Sequence, residues 1–195
     1  RNAPIEDMPW DINRVNDWSK SSLQTYLNND YYETIDSEDQ LKIDNNYVWK
    51  LGGSSTYNDV TAQMFYERER GTDVYSGHPT EWIGKIGLMY VSDYGFSTSG
   101  GSTNNRNACL ASALYNWNNV EDCYKNDWLY NKDYQWTLTT LTMYYYHAFT
   151  IISSGFVSHD TGVYHPFGVR PTLFLQPTVE MASGTGTSSD PYILK

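Results

Sequence analysis

The sequence predicts an α+β domain, with short helices in the N-terminal half and antiparallel strands in the C-terminal half. Three observations carry the prediction: four-residue apolar spacing behind capping residues before Gly71, apolar runs of strand length after Gly84, and turn-forming clusters between them. At 195 residues the chain reads as one domain over 1–195, with residues 1–17 as an extended N-terminal segment. Arg1-Asn2-Ala3, with no initiator Met, suggests a processed or truncated chain whose signal or anchor would lie elsewhere.

The helices come first. A serine at Ser21 or Ser22 caps a segment in which Leu23, Leu27, Tyr31 and Ile35 keep the four-residue spacing, with a break at Asn28-Asn29-Asp30. Ser37-Glu-Asp-Gln40 has the capping-box form ahead of Leu41 and Ile43. Gly52-Gly53-Ser54-Ser55 is a turn. Val60, Met64 and Phe65 then mark a helix that Gly71 closes just past Glu67-Arg68-Glu69-Arg70.

Lys85 to Val91 reads as a buried strand ending in a Ser92-Asp93-Tyr94-Gly95 turn, and Ser97 to Asn107 as a loop. Leu110, Leu114 and Trp117 predict one amphipathic helix pinned at its start by Cys109. Strands follow at Gln135–Leu138 and Ala148–Ile152, the latter joined to Phe156-Val157 by a Ser153-Ser154-Gly155 hairpin turn. Val169 to Leu175 is a further strand in which Pro171 must sit at an edge, a bulge or the start. Gly184 to Ser189 turns the chain before Tyr192-Ile193-Leu194.

Composition narrows the function. A net charge of −10 opposes nucleic acid or an anionic membrane as partner, and no run is long enough to span a bilayer. Seven Trp, 18 Tyr and six Phe supply core volume and contact surface together. Cys109 and Cys123 lack the company of a zinc site. In an oxidising compartment they would close a loop of about 15 residues, worth roughly 3 kcal/mol; two buried free thiols in a cytosolic protein are the alternative.

Catalytic and metal signals are weak. Among His78, His147, His159 and His165 only His159 has an adjacent carboxylate, Asp160, and neither a Gly-x-Ser-x-Gly elbow nor a His-Glu-x-x-His motif occurs. No catalytic residue, metal ligand or cofactor is therefore assigned. The candidate ligand-binding residues are Tyr144, Tyr145, Tyr146 and His147, read as a strand that alternates rings between its faces, together with Tyr164 and His165 in a loop. Arg170, inside an apolar strand, needs a partner, and Asp93 is expected to form a structural ion pair with it.

Several motifs together resemble a known family. They are Trp18-Ser-Lys-Ser-Ser-Leu-Gln-Thr-Tyr-Leu, Phe65-Tyr-Glu-Arg-Glu-Arg-Gly, Trp82-Ile-Gly-Lys-Ile-Gly-Leu-Met-Tyr-Val-Ser-Asp-Tyr-Gly, Asn126-Asp127-Trp128-Leu129, Gly168-Val-Arg-Pro and Gly184-Thr-Gly-Thr-Ser-Ser-Asp-Pro-Tyr-Ile-Leu. The resemblance is to a bacterial exported domain of unknown function. That domain occurs at the C-terminus of prepilin-type and other surface proteins, and is similar to the formylglycine-generating-enzyme branch of the C-type lectin fold.

The resemblance implies a C-type-lectin-like fold and an extracellular, pilin-like or adhesive module. Its partners would be protein or glycan on another surface, or copies of itself in a filament. A calcium-independent lectin and a purely structural pilus or surface-layer subunit are the alternatives. The oxidase chemistry of the fold's namesake resembles a site with paired C-terminal thiols, and no cysteine follows Cys123. The calcium loop of lectins has its nearest counterpart in Gln176-Pro177-Thr178, where Thr supplies no charge for a hard cation. Titration of the denatured, unreduced chain with a thiol reagent should find no free thiol; two would show that the expected bridge is not formed.

Overall fold

The computed structural model describes residues 5–123, 129–130, 132–187 and 189–195; Asn126-Asp127-Trp128 of one motif, Ser188 of the tail and Arg1–Ala3 lie outside them. The architecture is α+β, with several small sheets around one of five strands. Residues 5–17 are built into the domain: β1 (Asp7–Pro9) is an edge strand and Trp10 is fully buried.

In α1 (Ser22–Tyr26) the Ser21 hydroxyl accepts from the Gln24 N–H, and the chain winds on through a π-turn at Leu27–Tyr31 and a 3-10 turn at Tyr32–Thr34. Of the predicted face Leu23 and Leu27 are buried and Tyr31 and Ile35 partly so; after the π-turn shifts the helical phase, the buried ring is Tyr32. α2 (Ser37–Gln40) begins one residue earlier than a Ser37 cap would place it. The Asp36 carboxylate takes the Glu38 N–H, and carboxylates favour a helix N-terminus as strongly as hydroxyls do. β2 (Val48–Lys50) leads to α3 (Ala62–Glu69), capped by Thr61 and closed where the Gly71 N–H reaches the Arg68 carbonyl.

β3 (Glu81–Ile83) pairs with β2, and β4 (Ile86–Leu88) is shorter than predicted. The carboxylate of Asp93 captures the Tyr90 N–H, so the expected turn becomes the first turn of α4 (Val91–Phe96). The predicted Leu110–Trp117 helix is split. α5 (Arg106–Leu110) ends as Ser112 donates to the Cys109 and Ala108 carbonyls, Ala113 is extended, and a 3-10 segment carries Leu114–Asn119. The Cys109–Cys123 disulfide, with Cα atoms 5.2 Å apart, ties this region together.

The principal sheet takes β5 (Gln135–Thr140), β6 (His147–Ile151), β7 (Val157–Gly162) and β8 (Pro166–Gly168), in the order β1-β8-β5-β6-β7. Its contacts are antiparallel except between β5 and β8, which meet in parallel at Gln135 and Gly168. β9 (Pro171–Leu173) pairs antiparallel with β4, and Pro171 opens the strand where its missing N–H costs least. β10 (Met181–Ser183) and β11 (Ile193–Leu194) form a terminal hairpin.

Alternation along the central strands divides the core. Trp136, Leu138 and Ala148 pack with Trp10, Trp18 and Trp49, whereas Phe149, Ile151 and Val157 pack with Phe65, Tyr94 and Trp117. Glu69 lies fully buried where α3, α4 and β5 meet. Its carboxylate accepts from the Ser92 N–H at 3.2 Å, from the Ser92 hydroxyl, and from the Thr139 hydroxyl at 2.6 Å, and Arg70 approaches to 3.3 Å. Burial outweighs these bonds and pushes the carboxyl up to about 7.

A carboxyl raised in the fold binds its proton more tightly there than in the unfolded chain. The resulting stabilisation is complete below pH 4.5 and is lost as pH rises through about 7. The melting temperature of wild type minus that of Glu69→Gln, followed by calorimetry, should therefore fall across this window; a flat difference would refute the buried protonated carboxyl.

Candidate functional site

Tyr144 to Tyr146 do not lie in a strand. They form the turn between β5 and β6, where the Tyr144 N–H donates to the Leu141 carbonyl, and β6 begins only at His147. Tyrosine suits strands, but here the chain must reverse within the seven residues 141–147 to bring Ala148 opposite Thr140. Tyr144 and Tyr145 are 45% and 48% exposed, and Tyr146 packs against the tryptophan-rich core.

Tyr164 and His165 occupy the turn after β7, from which the chain crosses to β8 on the far side of β6 and β5. His147 pairs with Gly162, and the Val163 N–H donates to the Tyr146 carbonyl at 2.9 Å, so the two predicted segments converge at one end of the sheet. Tyr164 is 39% exposed and lies flat against Gly162, where any Cβ would come within 2.5 Å of its ring. Tyr75 meets Tyr145 with centroids 5.9 Å apart and extends the aromatic surface.

This apex is held by residues 11–16. The Asn16 side-chain amide donates to the Tyr144 and His147 carbonyls at 2.8 and 2.7 Å and reaches that of Leu141 at 3.5 Å, while its N–H donates to Tyr145 at 2.6 Å. The Asp11 N–H donates to the Val163 carbonyl, and its buried carboxylate accepts from the Val15 and Ser22 N–H groups. Arg14, between them, has φ of 64° and sets its guanidinium 4.6 Å from the centre of the Tyr164 ring. Such a backbone angle is costly outside glycine and marks a constrained site. Sequence reading missed Asp11, Arg14, Asn16 and Tyr75. The polar run Asp11-Ile-Asn-Arg-Val-Asn16 looks like any surface turn until its partners, more than a hundred residues away, are known.

His147 and His159 are half-buried, and burial lowers both imidazoles below the ordinary histidine range. His159 stacks on Tyr57, and the Nδ1 atoms of both histidines find no hydrogen-bond partner. The Ser158 hydroxyl donates to Asp160, which holds that carboxyl below its usual value, so Ser158, His159 and Asp160 form no hydrogen-bonded relay. Among the described residues no three His, Cys, Asp or Glu side chains are grouped to hold a metal ion.

The expected pair of Arg170 with Asp93 is not formed. The Asp93 carboxylate serves the Tyr90 N–H at the start of α4, and Arg170 donates from Nε to the Gln135 side chain at 3.0 Å and from its guanidinium to the Leu129 carbonyl at 3.2 Å. With Asp93 serving as a helix cap its carboxylate is committed to its own segment, and the oxygens of Gln135 and Leu129 are among the partners that meet the buried guanidinium.

A family model described as "Domain of unknown function (DUF6273)" matches residues 6–177. No curated protein and no solved structure matches the chain. Replacing Asn16 by Ala strips the Tyr144 carbonyl of its side-chain donor and the His147 carbonyl of one of two donors, and should cost about 1–3 kcal/mol. Hydrogen exchange should quicken selectively over 141–147 and at Val163; uniform protection would show that the amide does not hold the apex.

Proposed function

The chain belongs to the DUF6273 family, and from that premise we propose that it is a non-catalytic extracellular or cell-surface module. It presents a tyrosine-rich apex to a protein or glycan on another surface. The observation that carries this reading is the convergence of the 141–146 and 163–165 turns into one exposed aromatic surface on a rigid sheet. Tyrosines offer large contact area at low entropic cost, and positions on a rigid scaffold keep that cost low.

The extracellular location is supported by the Cys109–Cys123 bridge, since such bonds persist in oxidising compartments. A C-type-lectin-like fold is proposed on the motif resemblance together with the order of short helices and sheet along the chain.

Beads coated with the purified domain should be retained on surfaces bearing mucin or extracellular-matrix protein. The triple variant Tyr144→Ala, Tyr145→Ala, Tyr164→Ala should lose most of that retention, by roughly tenfold or more, because exposed aromatics dominate such contacts. Its melting temperature should stay close to wild type. Undiminished retention by a folded triple variant would overturn the reading.

A further inference from the structure

Near the β6–β7 hairpin, and reaching the apex turn at His165, lies a groove of about 430 Å³. Its aromatic walls are Tyr115, Tyr134, Phe156 and Phe167, and its polar groups include Ser158 and Asp160. Tyr134 and Phe167 are stacked, with centroids 4.9 Å apart and planes 25° from parallel, and the Tyr115 ring meets Phe156 edge-on at 5.6 Å. Two ring pairs thus line the groove, one stacked and one edge-on. One of its lining residues, His165, also belongs to the 163–165 turn of the apex.

Charge decides what such a groove takes. Asp160 is exposed, accepts from the Ser158 hydroxyl at 2.7 Å and from its own backbone N–H, and has the imidazoles of His159 and His147 nearby. Among the described residues no lysine or arginine pairs with it. Arg14 and Arg70, the arginines that sit over rings, do so at Tyr164, Tyr66 and Tyr90, outside this groove. A carboxylate with no lysine or arginine partner among the described residues, in a groove lined by aromatic rings and in a chain of net charge −10, draws cations. A neutral saccharide would stack on the same rings but leave the charge unanswered.

We propose that this groove binds an alkylammonium group: the aromatic walls hold its alkylated, positively charged head and Asp160 supplies the countercharge. Two sources share that chemistry, a quaternary headgroup such as choline and the lysine side chain of a partner protein. The proposal goes beyond the apex reading; the two share His165 but are tested on different residues, Tyr144, Tyr145 and Tyr164 for the apex against Tyr134 and Asp160 for the groove, so either can fail alone.

The test is calorimetric titration of the intact chain with choline, Nα-acetyl-lysine amide, the neutral choline isostere 3,3-dimethylbutanol and methyl glucoside, with NMR of the aromatic protons. Choline or the lysine amide should bind, shift the Tyr134 and Tyr115 rings, and bind roughly tenfold more tightly than the neutral isostere. Asp160→Asn and Tyr134→Ala, both at exposed positions, should each weaken binding about five- to thirtyfold without moving the melting temperature. The apex triple variant should bind as wild type does. Tighter choline assigns a headgroup, and tighter lysine amide assigns a protein partner. Equal binding of isostere and choline, preference for the glucoside, or no binding by either cation would overturn the proposal.

Discussion

One primary amide governs where the exposed tyrosines stand. Asn16 is nearly inaccessible to water, yet its side chain and main chain together reach the carbonyls of Leu141, Tyr144, Tyr145 and His147. The Leu141 and His147 carbonyls also accept backbone N–H groups, but a tight turn leaves others, such as that of Tyr144, with no strand N–H to receive them, and an inward-facing carbonyl without a donor is expensive. A short side chain with two donors on one nitrogen answers them from a segment otherwise remote in sequence. The price of that solution is visible at Arg14, whose backbone is forced into the left-handed region so that residues 11 and 16 can face the two turns.

The aromatic residues divide by type, and the division follows from their polar handles. Trp10, Trp18, Trp49, Trp117 and Trp136 are fully buried, and the indole N–H groups of Trp10, Trp49 and Trp136 donate to the Thr137, Gly84 and Met8 carbonyls. Each such bond pins a large ring in one orientation, which turns hydrophobic burial into a specific core. Tyrosine splits between inside and outside. Tyr94 is buried with its hydroxyl donating to the Gly155 carbonyl, whereas Tyr144, Tyr145 and Tyr164 leave theirs in water.

Local signals in the sequence were reliable wherever the deciding interaction was itself local. The Ser21 cap, the helix ended at Gly71, the 153–155 hairpin turn and the proline-led strand at Pro171 all rest on bonds or angles within a few residues. The errors share one cause. Asp93 converts a predicted strand end into a helix by capturing a single N–H, and Ser112 divides a periodic helix through two carbonyls; both are competitions between adjacent structures of similar energy. The tyrosine run was misread because strand propensity is a statement about packing, and the turn is imposed by pairing between β5 and β6. For the site, the surface tyrosines and His165 were legible as residues. The clamp that unites them was not, since its hydrogen bonds cross more than a hundred positions.

The sheet's edges bear on how such a module meets its partners. β1 is three residues long and contains Pro9, and β7, at the opposite edge, carries His159 and Asp160 before Gly162. Short length, proline and charge are devices that discourage strand-to-strand addition. A sheet blunted at both margins favours association through side-chain surfaces over main-chain extension. With the margins of the principal sheet blunted, the recognition proposed for this chain would fall to aromatic rings at the turns and to the carboxylate on β7. One strand contributes to both surfaces: β7 supplies Ser158 and Asp160 to the groove and ends at Gly162, where a Cβ would come 2.5 Å from the Tyr164 ring.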